Sequence, residues 1–138
     1  MSAIRILIAD DHALVRESIR AILASQGDME IVATAGDGNE AVQLAMAHQP
    51  DVVVMDISMP SMDGLHATEL IHRAQEETSI IILSMHVNAA LVQQALRMGA
   101  RGYVLKRRAT DELPEAIRAA VQGQVFLSSA IPPSYLPR

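Results

Sequence analysis

The chain of 138 residues contains no cysteine, no tryptophan and one lysine. Without cysteine there is no disulfide framework and no thiolate metal site, and redox chemistry marks no compartment. Long apolar runs are missing too. The first, Ile4 to Ala9, is interrupted by Arg5 and closed by Asp10-Asp11, so it suits neither a signal peptide nor a membrane span. A cytoplasmic protein with no membrane partner is the expectation. Excess positive charge is absent: a formal net charge of −5 argues against direct nucleic-acid contact by this domain. The basic residues gather late, at Arg97, Arg101, Lys106, Arg107, Arg108 and Arg118, where a solvated face and a partner contact are both open readings. No internal repeat or low-complexity run stands out. Half the residues are hydrophobic and 20% are charged, which suits one core and not two.

What the chain does have is polar chemistry at the ends of apolar runs. Ile4 to Ala9 ends in Asp10-Asp11, and Asp51 to Met55 ends in Asp56. Ile80 to Leu83 ends in Ser84, and Gly102 to Leu105 ends in the only lysine, Lys106. Short apolar runs followed by helical segments read as buried parallel strands. Strand and helix alternate roughly every 25 residues, as repeated strand-helix units require. Leu14, Val15, Ile19, Ile22 and Leu23 make one helical stripe, with Arg16, Glu17 and Arg20 facing water. Glu30 to Ala35 reads as the second strand, and helices are expected near 39–48, 65–76, 88–98 and 110–122. Pro114 is tolerable if it falls in the first turn of the last helix. The tail from Ser128, with Pro132, Pro133 and Pro137, is linker-like.

This pattern predicts an α/β fold: a flavodoxin-like, doubly wound sheet of five parallel strands in the order 2-1-3-4-5, with five helices. Ligands of such sheets bind outside the carboxyl ends of the strands, at the switch point between strands one and three. Those two strands end in Asp10-Asp11 and Asp56.

Three carboxylates brought together repel one another, and a hard divalent cation with oxygen ligands removes that penalty; Mg²⁺ is the usual choice for phosphate work. An aspartate can then act as a nucleophile and form an acyl phosphate, a transfer that needs mainly positioning and charge neutralisation. Lys106 supplies further positive charge, and the Ser84 hydroxyl can bond a phosphoryl oxygen. Taken singly, these residues have local explanations. Asp10 or Asp11 could cap the helix near Ala13, Asp56 could bond its own turn, Asp63 could serve the turn at Gly64, and Ser84 could cap the next helix. Four convergent strand ends would then need four unrelated explanations. His12 is better read as a partly exposed polar residue than as a ligand of Mg²⁺. His48, His66 and His72 lack paired spacing, and the eight methionines suit packing.

The stretch Asp56-Ile57-Ser58-Met59-Pro60-Ser61-Met62-Asp63-Gly64, with Asp10-Asp11, Ser84 and Tyr103-Val104-Leu105-Lys106 in order, resembles the response-regulator receiver domain. The resemblance runs from about Ile4 to Leu127. It implies that Asp56 accepts a phosphoryl group from a sensor histidine kinase. Asp11, Asp56 and the backbone carbonyl of Ser58 would hold Mg²⁺, with Asp10 supporting it directly or through water. Ser84 and Lys106 would bind phosphoryl oxygens, Pro60 and Gly64 would shape the loop over the site, and Ser84 with Tyr103 would form a switch. Ser58 and His86 flank the site, where they either tune the lifetime of the acyl phosphate or, for His86, merely begin a helix.

Ile80 to His86, Met98 to Tyr103 and Gly123 to Ser128 resemble the NarL/FixJ type. That likeness implies a receiver over residues 1–127, the start of an interdomain linker over 128–138, and a LuxR-type helix-turn-helix output domain beyond this chain. Such a protein would regulate transcription. The alternative is a stand-alone receiver acting through protein contacts or a phosphorelay. An aspartyl-phosphate phosphatase of the haloacid dehalogenase type is disfavoured because Ser58 stands where its Asp-x-Asp motif needs the second aspartate, so the protein is expected to catalyse only its own phosphorylation and dephosphorylation. Arg107-Arg108 departs from the small or acidic residues common after the family's lysine. A homodimer through the last strand and helices is a further expectation, with these basic residues meeting Glu112 and Glu115 of a neighbour.

Overall fold

Strand and helix alternate through the fifth helix in the computed structural model, which describes residues 3–136. The elements are β1 (Ile4–Ala9), α1 (Ala13–Ala24), β2 (Met29–Ala35), α2 (Gly38–His48), β3 (Val52–Asp56) and α3 (Gly64–Ala74). They continue with β4 (Ser79–Ser84), α4 (Ala89–Arg97), β5 (Gly102–Leu105), α5 (Ala109–Val121) and β6 (Phe126–Leu127). The strands pair in parallel in the order β2-β1-β3-β4-β5-β6. This is the expected fold, with β6 as an added edge strand. Its two residues are too short to give a periodic signal in the sequence.

Period-two alternation divides each central strand between two apolar layers. Leu7, Val53, Met55, Ile80 and Ile82 join α2, α3 and α4 on one face, whereas Ile6, Ile8, Val52, Val54, Ile81 and Leu83 join α1 and α5 on the other. Burial on both faces explains why these strands read as continuous valine and isoleucine runs.

Three local expectations are corrected. Leu14 is not part of the core stripe of α1: it is 83% exposed, while Ile19 and Leu23 are buried. Nine residues of helix place Leu14 about 180° from Leu23, so both cannot face the sheet. Pro114 lies within α5 rather than in its first turn. Its missing N–H leaves the carbonyl of Thr110 without a helical donor, and Thr110 is exposed, where water can serve it. The tail from Ser128 first returns to the domain: Ser128 and Ile131 are buried. Pro137 lies outside the described residues.

Candidate functional site

β1, β3 and β5 all end on one side of the sheet, and their ends carry Asp10-Asp11, Asp56 and Lys106. The β3–β4 register sets Asp56 opposite Leu83, and the β4–β5 register sets Ser84 opposite Leu105. Ser84 is therefore placed by strand pairing, and Lys106 is the first residue after the paired end of β5. Gly64 permits α3 to start directly against β3. A Cβ there would lie 2.0 Å from the carbonyl oxygen of Asp56, while the Gly64 N–H donates to Ile57 at 2.8 Å.

The acidic pair divides into a buried and an accessible member. Asp10 is fully buried, and its side chain accepts the N–H of His12 at 2.9 Å. Asp11 keeps 29% of its side chain exposed. Asp56 is buried, with the Ser58 N–H 3.4 Å from its Oδ1. The Lys106 ammonium sits between the two strands' carboxylates, 3.1 Å from Asp10 Oδ2 and 3.2 Å from Asp56 Oδ1. Ligand atoms from Asp10, Asp11, His12 and Asp56 all lie within 4.8 Å of one another.

One ammonium does not balance this cluster. Burial, and then the charge of Asp10, raise the pKa of Asp56 above the ordinary carboxylate range despite Lys106. Burial alone would lower Lys106, but attraction to Asp56 and Asp10 outweighs it and holds the ammonium above its usual value. Although Lys106 is close, the buried Asp10 Oδ2 accepts no hydrogen bond of proper geometry. A buried carboxylate oxygen that faces the Lys106 ammonium, beside a second carboxylate held with a raised pKa, fits a small hard cation with oxygen ligands.

The local alternatives resolve unevenly. Asp63 is the N-cap of α3 and accepts from His66 at 2.8 Å. The N-cap of α1 is His12 and that of α4 is Asn88, so neither Asp10, Asp11 nor Ser84 has that task. His12 is 67% exposed, with Nδ1 3.0 Å from Asp11 Oδ1. Ser84 Oγ accepts the His86 N–H at 3.0 Å, and the hydroxyl of fully buried Tyr103 donates to the His86 carbonyl at 2.8 Å. The backbone of His86 thus joins Ser84 to Tyr103.

Arg16 was not legible as a site residue. Its Nη1 donates to the Asp10 carbonyl at 2.6 Å, so it braces the turn that carries the acidic pair. The available signal is directional: helical side chains lean toward the N-terminus, which here is the pocket. Two other late charges are spent within the chain. Arg118 makes a forked pair with Asp28, both contacts 2.9 Å, and Glu112 is buried by its own tail rather than free for a neighbour.

Comparison with known proteins gives a consistent picture. A family model described as the response regulator receiver domain matches residues 6–118. The oxygen regulatory protein NreC of Staphylococcus haemolyticus is 46% identical over 124 residues, covering 89% of this chain and 57% of that protein. The chain therefore spans little more than half the length of such curated relatives. A crystal structure of a LuxR-family two-component response regulator from Aurantimonas sp. SI85-9A1 superposes with a TM-score of 0.90 at 37% identity, covering 94% of this chain and 93% of that one. The isolated REC domain of RcsB from Salmonella enterica serovar Typhimurium, solved with the phosphomimetic BeF3−, gives a TM-score of 0.87 at 29% identity, covering 99% and 100%.

Proposed function

The chain belongs to the response-regulator receiver family, and from that premise we propose that Asp56 accepts a phosphoryl group from a sensor histidine kinase. An Asp56 carboxylate oxygen attacks phosphorus, the P–N bond of the phosphohistidine breaks, and the imidazole nitrogen leaves with the bonding pair. Asp10, Asp11, Asp56 and the Ser58 backbone carbonyl would hold Mg²⁺. When bound, that ion neutralises the clustered carboxylates and draws charge from the phosphoryl oxygens. Lys106 then shifts from pairing carboxylates to binding a phosphoryl oxygen, and Ser84 binds another. Moving Ser84 disturbs His86, which holds the Tyr103 hydroxyl, so these residues form the switch. The output would be transcriptional, through a LuxR-type helix-turn-helix domain; the likeness to the LuxR-family response regulator from Aurantimonas supports this.

The observation that carries the proposal is Lys106 held between the buried Asp10 and Asp56 while Asp56 remains raised. Thermal melting with Mg²⁺ and beryllofluoride tests it. At a ligand excess of 100 times Kd, the wild type should gain about 2.7 kcal/mol, and Asp56→Asn should gain nothing from beryllofluoride. A wild type insensitive to both ligands would remove the proposal.

A further inference from the structure

One buried carboxylate takes no part in the pocket. Glu112, in the first turn of α5, accepts the Ser128 hydroxyl and the Ser129 N–H, the latter at 3.0 Å. Ser128 is itself fully buried, and its N–H donates to the carbonyl of Tyr103 at 2.9 Å. Three residues on, Ile131 is buried in the apolar cluster that contains Tyr103 and the α4 residues Val92 and Ala95. Tyr135 packs against the same cluster. The segment from Phe126 to Leu136 therefore holds β5, α4 and α5 together.

Burying a carboxylate is costly unless hydrogen bonds serve it, and the strap itself supplies those bonds. Release would return Glu112 to water and restore chain entropy, at the expense of the burial of Ile131. Tyr103 sits at the junction, because its hydroxyl is tied to His86 and its carbonyl to Ser128. Close-packed groups in one cluster do not rearrange independently.

We infer that residues 126–136 form a strap whose docking on β5 and α4 is coupled to the inward position of Tyr103, carrying the state of the pocket toward the C-terminus. The inference rests on the switch role proposed for Tyr103. Coupling of this kind is reciprocal and typically amounts to about fivefold or more.

Amide hydrogen exchange of the full chain tests it in two arms. Tyr103→Phe keeps the ring and removes the hydroxyl that donates to His86. The amides of Ser128, Ser129 and Ile131 should then exchange about fivefold faster or more, while those of β1 are unchanged. Strap amides that keep their wild-type rates in this variant overturn the coupling. In the second arm, wild type receives Mg²⁺ and beryllofluoride. Slower exchange at both the pocket amides of Ile57 and Ser58 and the strap amides supports the inference; protection of the pocket alone overturns it. If the pocket amides do not respond, the phosphoacceptor reading fails, and the Tyr103→Phe arm decides the strap without it.

Discussion

The pocket and the strap each bury a carboxylate, and the two environments push in opposite directions. At Asp56, burial and the neighbouring charge of Asp10 raise the pKa, and Lys106 does not compensate. At Glu112, burial also acts upward, but hydrogen bonds from Ser128 and Ser129, with the charge of Arg108, outweigh it and hold the carboxyl below its usual range. Burial alone therefore does not mark function. The strap carboxylate is served by its own chain, whereas the pocket carboxylate keeps a raised pKa beside its ammonium, an environment typical of functional sites.

Removing the ammonium held between Asp10 and Asp56 should break the contrast most severely. Lys106→Met should slow labelling of Asp56 by a small phosphodonor by about a hundredfold, followed as the rate of mass gain. The converse change completes the comparison at the strap. Glu112→Gln keeps the shape but exchanges a charged acceptor for a neutral one, and denaturant melting should show a loss of about 1–2 kcal/mol, with labelling of Asp56 changed by about fivefold, the scale of the coupling, and far less than in Lys106→Met.

The smallest effect is on pH dependence. The folded pKa of Asp56 lies above its ordinary 3.8, so within that interval the native state binds more protons and stability falls as pH rises. The folded pKa of Glu112 lies below its ordinary 4.5, so its contribution is complete above that value and is lost as pH falls through the folded pKa. Melting temperature against pH should lose the falling limb in Asp56→Asn and the acid-side loss in Glu112→Gln.

The pocket was legible because strand ends are legible: apolar runs buried on both faces stop at a polar residue, and topology brings those stops together. Asp10, Asp11, Asp56 and Lys106, which the fold does bring together, were singled out that way; the same reasoning named Ser84, and a family likeness added Ser58 and Tyr103 to the proposed site. The strap was hidden for the complementary reason. Pairing of two residues in β6 leaves no period, and prolines near Ile131 resemble a linker until the isoleucine is seen to be buried. Glu112 was read as a contact for a neighbour's basic residues, because its actual partners lie 16 and 17 residues away in the sequence. Leu14 misled in the other direction, as an apolar residue that the helical angle turns to solvent.

The most direct test of the central claim is intact mass after incubation with Mg²⁺ and acetyl phosphate, on the wild type and Asp56→Asn. One added phosphoryl group on the wild type, stable in acid, lost in hydroxylamine and absent from the variant, is the result expected of an acyl phosphate on Asp56. Equal labelling of both proteins, or none of the wild type, would contradict it.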